Sequence, residues 1–317
     1  MRNKGTTITR RELLTATAAT AALAPLRQEG PHVWLDMDQK ELDDAYTQSV
    51  YAANLRQIVR RWATNSEAAR ERLGPPERLA YGTEPIEALD VYRTDRPGAP
   101  VQVFIHGGAW EQGSAKSYGF PAETFIRAGA HWVVPDFSWV QDVGKSLLPM
   151  AHQVRRAVAW VYENAASFGG DPNRLYVSGH SSGGHLAGVI LTTDWQKDFD
   201  LPPDVVKGGL CSSGMFDLKP VRLSARSRYI DFTDEMEEAL SSIRHLDKLH
   251  APIIITYGTL ETPEFQRQSR DFAAAVEAAG KPVQLLVAEG YNHFEILETL
   301  ANPYGLLGRA ALEQMGL

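Results

Sequence analysis

Among 317 residues there is one cysteine, Cys211. A single thiol forms no internal disulfide and builds no thiolate metal site, so packing must hold the chain together. An excess of positive charge is also missing, since 32 Lys+Arg stand against 39 Asp+Glu for a formal charge of −7. Nucleic-acid phosphates demand clustered cations, which excludes nucleic-acid partners. No apolar run reaches the roughly 20 residues that a stable membrane span requires. No segment repeats at a fixed period, so solenoids and fibrous arrays are excluded as well. What is present is 44% hydrophobic and 22% charged residues with ordinary glycine and proline usage, in a chain long enough to bury a large core. Cys211 lies within an apolar run and reads as a small buried hydrophobe.

The first residues differ in composition from the rest. Arg10-Arg11, then Leu13-Leu14, then the Ala/Thr-rich run 15–24 resemble a twin-arginine export signal, with Ala19-Thr20-Ala21 as a cleavage site. A second such site, Ala22-Leu23-Ala24, is followed directly by Pro25, which hinders cleavage. Residues 1–24 are therefore expected to direct the protein to the periplasm; a chance arginine pair on an Ala-rich helix would leave it cytoplasmic. They carry Arg2, Lys4, Arg10 and Arg11 against Glu12, so their removal leaves a body near −10.

Residues 25–76 are expected to form an N-terminal helical segment packed on the core. Leu42, Ala45, Tyr46, Val50, Leu55, Ile58, Val59 and Trp62 recur at helical spacing between positions 36 and 72, and Gly74-Pro75-Pro76 ends the pattern. Runs 78–81 and 88–92 read as an antiparallel hairpin. After Pro97-Gly98, apolar runs at 101–105, 131–135, 175–178, 208–211, 252–257 and 283–288 suit strands buried on both faces, and helical stretches such as 148–166 and 265–279 alternate with them. This alternation predicts an α/β class with a mostly parallel central sheet and helices on both faces, and residues 77–317 as one catalytic domain.

The chemistry is carried by a turn. The strand-like Leu175-Tyr176-Val177-Ser178 runs into Gly179-His180-Ser181-Ser182-Gly183, and a small-residue helix follows. Gly-x-Ser-x-Gly between a strand and a helix is a nucleophile elbow, which lifts the Ser181 hydroxyl to the apex of a sharp turn. A nucleophilic serine also needs oxyanion donors and a base. The run 101–105 ends in His106-Gly107-Gly108-Ala109-Trp110, a loop of the type whose amides face a developing oxyanion. The N–H groups of Gly108, Ala109 and Ser182 are the expected donors, with Gly107 shaping the loop and His106 a structural hydrogen-bonder.

For the base, nine histidines are thinned by position. In chain order the nucleophile comes first, then the acid, then the histidine, and His293 alone follows the last strand-like run and precedes a helical stretch. The acid should follow the run 252–257. Glu261 is the expected residue, Asp217 after the preceding strand stands as the alternative, and Glu264 reads as a helix-start carboxylate. Trp110, Phe137 and Trp139 are candidates for an aromatic substrate site, each equally explicable as core.

These residues resemble the α/β-hydrolase superfamily and, within it, the kynurenine formamidase (arylformamidase) group and its bacterial esterase relatives. The resemblance runs through the helix 40–46, Leu89-Asp90-Val91-Tyr92, the His106 loop, the elbow, Ser213-Gly214-Met215-Phe216-Asp217-Leu218, the segment 262–269 and Asn292-His293-Phe294, covering roughly residues 36–300. In that group the acid stands just before the Ser/Thr-Pro-Glu-Phe segment, usually as aspartate; here that position is Glu261. The resemblance implies a cofactor-free and metal-free serine hydrolase acting on small aryl or short-acyl esters, or on N-formylkynurenine-like amides. An export signal departs from a group that works on a cytoplasmic amide, and it shifts weight toward a general esterase or amidase acting on an external small molecule. Acyl transfer to an alcohol uses the same residues. A ligand-binding protein on this fold would need neither base nor oxyanion donors, so the complete set points to an enzyme with a small-molecule partner. A homodimer is compatible with the sequence, as is a monomer.

Overall fold

A computed structural model describes residues 30–317. Its centre is one eight-stranded sheet in the order β1-β2-β4-β3-β5-β6-β7-β8. The strands are β1 (Glu77–Ala80), β2 (Ala88–Tyr92), β3 (Ala99–Ile105), β4 (His131–Pro135), β5 (Gly170–His180), β6 (Gly208–Ser212), β7 (Ile253–Gly258) and β8 (Val283–Ala288). The hairpin β1–β2 and the β2–β4 pair are antiparallel, and all the other pairs are parallel. The parallel strands therefore deliver their C-terminal ends, and the loops that follow, to one edge of the sheet.

The strands are apolar at successive positions because both faces are covered. One core cluster takes Val101 and Val103 from β3, Val177 from β5 and Ile255 from β7, while the other takes the intervening Phe104, Tyr176 and Ile254. Side chains alternate across a strand, so a run buried on both sides must be apolar throughout. Cys211 belongs to the first cluster, fully buried, and burial pushes its thiol well up from the ordinary range. The strand β8 departs from the expectation of full burial. It has a single neighbour, β7, and leaves Leu285 and Val287 38% and 37% exposed.

The helical pattern over 36–72 is interrupted. A helix Gln39–Ala45, opened by a capping box between Asp38 and Glu41, gives way to a short 3₁₀ turn Gln48–Val50 and then to a helix Leu55–Leu73. The two helices serve different faces: Leu42 and Tyr46 join the first cluster, Ile58 and Trp62 the second. One straight helix cannot reach both. Each such burial contributes about 1.5–3 kcal/mol, enough to offset the hydrogen bonds lost at the break, at about 1 kcal/mol each. The break carries Tyr46 and Gln48 to the C-terminal edge of the sheet, where the site lies.

The other long helices begin where the sequence signals a start. Ser146 caps Leu147–Asn164, and Thr262 caps Pro263–Ala278 with proline at the first helical position. Helices Ala122–Ala128, Trp195–Phe199, Leu218–Leu223, Asp234–Leu240 and Leu306–Gln314 have no counterpart in the sequence reading, being too short to show a period. Among the described residues no helix is long and apolar enough to cross a membrane. The expected export signal, residues 1–24, lies outside the described residues.

Candidate active site

The strand β5 ends at His180, and a helix Ser182–Leu191 starts two residues later. Ser181, between them, has φ 60 and ψ −127, a conformation rare for a residue with a side chain and strained on that account. The turn is this tight because its flanks are bare. A Cβ at Gly179 would run into the carbonyl oxygen of Gly183, and one at Gly183 into that of Ile105. Ser181 N–H donates to the Ser212 carbonyl of β6 at 2.9 Å, which anchors the apex to the sheet.

Two loops from the far half of the sheet meet this serine. His293 follows β8, and its Nε2 lies 2.8 Å from Ser181 Oγ. Its Nδ1 lies 2.8 Å from Oε2 of Glu261, which follows β7. A carboxylate only accepts, so Nδ1 carries the proton and the Nε2 lone pair faces the serine hydroxyl. Both His293 and Glu261 are 2% exposed, which removes competing water from the relay. A hydroxyl, an imidazole and a carboxylate linked in this order can shuttle the serine proton and stabilise the resulting imidazolium.

The competing carboxylates are engaged elsewhere. Asp217 accepts from Lys219 N–H at the start of the helix Leu218–Leu223 and pairs with Arg244 at 3.3 Å. Glu264 does start a helix, as expected, but it is also buried, holding Arg267 with both oxygens and accepting from the Tyr46 hydroxyl at 2.9 Å.

His180 is among the histidines that position along the chain excludes as the base. In the structure it supports the base: its Nε2–H donates to the His293 carbonyl at 2.7 Å, and the two rings lie 4.6 Å apart. Burial, and the proximity of His293, hold His180 well below the ordinary histidine range, so it stays neutral beside the imidazolium. Its position next to Ser181 is the signal that could have found it.

On the other side of Ser181 lies the loop after β3. Gly108, Ala109 and Trp110 take φ values of 123, 58 and 65 in succession, a curl that turns the peptide planes of the loop. Trp110 N–H is used within the protein, donating to Ser182 Oγ at 3.3 Å. The backbone N–H groups of Gly108, Ala109 and Ser182 have no acceptor among the described residues, and Gly108, Ala109 and Ser181 line one cavity. Unspent amides beside a nucleophile are what an oxyanion requires. His106 is structural, as expected. Its Nδ1 contacts the Gly107 carbonyl at 2.9 Å and its ring is stacked between Tyr118 and Phe137.

The cavity over Ser181 has a volume of about 470 Å³. None of the three expected aromatic residues lines it. Trp110 is 2% exposed and hydrogen-bonds through its indole to His185 Nδ1 at 3.3 Å, while burial pushes His185 down to about 4, keeping it a neutral acceptor. Phe137 is a core residue against His106. Trp139 is 38% exposed outside the cavity, its indole donating to the Gly113 carbonyl at 2.9 Å. The aromatic lining comes from Tyr46, Trp62, Tyr118, Tyr229 and Phe294 instead. Trp62 is the hub, lying within 6.3 Å of the rings of Tyr118, Phe120, His180 and Phe294. In sequence it is one more apolar residue of a helix, with no local mark of a substrate wall.

Comparison with known proteins matches this geometry. The BD-FAE family model covers residues 89–208, which hold the loop from His106 to Trp110 and Ser181, and the prolyl oligopeptidase family model covers 151–303, which hold Ser181, Glu261 and His293. Kynurenine formamidase of Danio rerio is 30% identical over 296 residues, 89% of this chain and 98% of that protein. Esterase LipC of Mycobacterium tuberculosis is 29% identical over 289 residues, 81% of this chain and 69% of that protein. A solved structure from Silicibacter sp. TM1040, provisionally named a thioesterase, superposes with a TM-score of 0.76 at 23% identity, covering 87% and 99% of the two chains. The parallel sheet, the elbow and the identity sustained along nearly the whole of both chains establish that this protein belongs to the kynurenine formamidase family of α/β-hydrolases.

Proposed function

We propose that this protein is a serine hydrolase cleaving small aryl or short-acyl carboxylic esters through an acyl-enzyme. Ser181 attacks the carbonyl, His293 takes its proton and returns it to the leaving alcohol, and Glu261 holds His293 in the required tautomer. The N–H groups of Gly108, Ala109 and Ser182 receive the oxyanion. Water, deprotonated by His293, then releases the acid. The observation that carries this reading is the continuous Ser181–His293–Glu261 relay with both links at 2.8 Å. The aromatic lining of the cavity supports a flat, apolar substrate part.

A second reading, arylformamidase-type cleavage of N-formylkynurenine-like amides by the same steps, is favoured by the likeness to the Danio rerio kynurenine formamidase. Arg226 adds to it. This guanidinium lines the cavity, donates to the Tyr229 hydroxyl and the Tyr46 carbonyl, and forms no ion pair among the described residues, which suits the carboxylate of an amino-acid substrate. Side-by-side kinetics on p-nitrophenyl acetate and N-formylkynurenine test both readings. Turnover of the ester is expected; a larger kcat/KM on the formamide selects the second reading, and turnover of neither overturns both.

Residues 1–24 are proposed to export the folded protein to the periplasm by the twin-arginine route, supported by Arg10-Arg11 and the Ala/Thr-rich run that follows. N-terminal sequencing of the protein from a periplasmic fraction should begin at Ala22, directly after Ala19-Thr20-Ala21. A protein recovered only from the cytoplasm and starting at its own N-terminus sinks the proposal.

A further inference from the structure

A glutamate in the acid position needs one more constraint than an aspartate. Its carboxylate lies one methylene further from the backbone and turns about a terminal torsion with a broad profile. In the structure that freedom is removed at Oε1, the oxygen that His293 does not use. Ser213 Oγ–H donates to Oε1 at 2.6 Å, and Gly258 N–H donates to it at 2.7 Å. Among the described residues no Lys or Arg pairs with Glu261, so these two donors and His293 hold the charge.

Ser213 is fully buried, and its backbone sits at φ 52, the left-handed region that a side chain disfavours. Its N–H donates to the Thr256 carbonyl of β7 at 2.7 Å, which locks the strained turn to the strand that delivers Glu261. Strain held in place by a neighbouring strand, with the hydroxyl against a buried carboxylate, marks a residue kept for what its side chain does.

We propose that Ser213 is a positioning residue of the catalytic apparatus, holding the Glu261 carboxylate in the rotamer that receives His293 Nδ1–H. The inference rests on the Ser181–His293–Glu261 reading. Losing the Ser213 hydroxyl leaves one donor on Oε1 and frees the carboxylate to rotate away from His293 Nδ1.

Ser213→Ala is expected to lower kcat on p-nitrophenyl acetate about 10- to 100-fold, the range of a charge-assisted hydrogen bond, with KM within about twofold of the parent. In a Glu261→Gln background the same change should bring no further loss, because Ser213 acts only through the carboxylate. Ser213→Gly, which relieves the backbone while removing the hydroxyl, should repeat the loss and covers the case in which the alanine variant fails to fold. Parent-like kcat in both variants, or a full additional loss on top of Glu261→Gln, overturns the inference. Activity retained by Ser181→Ala would instead overturn the catalytic reading beneath it.

Discussion

Ser181→Ala is expected to lower kcat on p-nitrophenyl acetate by about 10⁵- to 10⁶-fold, leaving only the residual rate that binding and oxyanion donors sustain. The effect is large because nothing nearby can substitute. Ser182 Oγ, the nearest hydroxyl in sequence, accepts from Trp110 N–H and is buried at the start of a helix, and the lone pair of His293 Nε2 faces Ser181 alone. The substitution removes one oxygen from a turn whose path is dictated by Gly179 and Gly183, so the melting temperature should stay within about 3 °C of the parent. Loss of activity with a preserved fold is the expected pair of results. Turnover within tenfold of the parent would remove Ser181 from the mechanism.

Glu261→Gln should cost about 10³- to 10⁴-fold in kcat, and the reason lies in the donors around the side chain. Ser213 Oγ–H and Gly258 N–H both point at Oε1, so the amide oxygen of a glutamine takes that position and its NH₂ turns toward His293 Nδ1. That nitrogen must then accept, which moves the imidazole proton to Nε2, opposite Ser181. A histidine in that tautomer cannot take the serine proton. Asp217→Asn, by comparison, changes a carboxylate that caps the helix Leu218–Leu223 and pairs with Arg244, and kcat should remain within about twofold. The reverse outcome, a silent Glu261→Gln with an inactive Asp217→Asn, would name Asp217 as the acid.

Why Glu261 was legible in the sequence and the cavity wall was not follows from how each is built. Ser181, His293, Glu261 and the loop from His106 each sit at the C-terminal end of a parallel strand, and a buried strand announces itself as an apolar run with a turn behind it. Position along the chain then predicts position in space, because parallel strands bring all such ends to one edge. Trp110, Phe137 and Trp139 follow strands too, and that same logic misled there. A large ring beside a catalytic loop fills the core under it as readily as the space above, and the path of the chain after the strand decides which. Tyr46 and Trp62 reach the cavity from a segment more than 100 residues before Ser181, through a break that contains no glycine or proline, where two apolar stripes part for opposite faces of the sheet.

Edge and centre were likewise settled by neighbours. The run 283–288 reads as apolar as the others, yet β8 has no strand on its outer side and leaves Leu285 and Val287 half-covered. The carboxylate's second anchor is of the same kind: Ser213 is 48 residues before Glu261, and only the pairing of β6 with β7 puts its hydroxyl on that oxygen. Local chemistry in this chain, the glycines of a tight turn and the order of serine, acid and histidine, was determined by the sequence itself, because it depends on steric rules within a few residues. The cavity wall, the exposed strand and the second anchor of Glu261 were decided by tertiary structure, because each depends on which distant surface a side chain meets when the two faces of the sheet are buried.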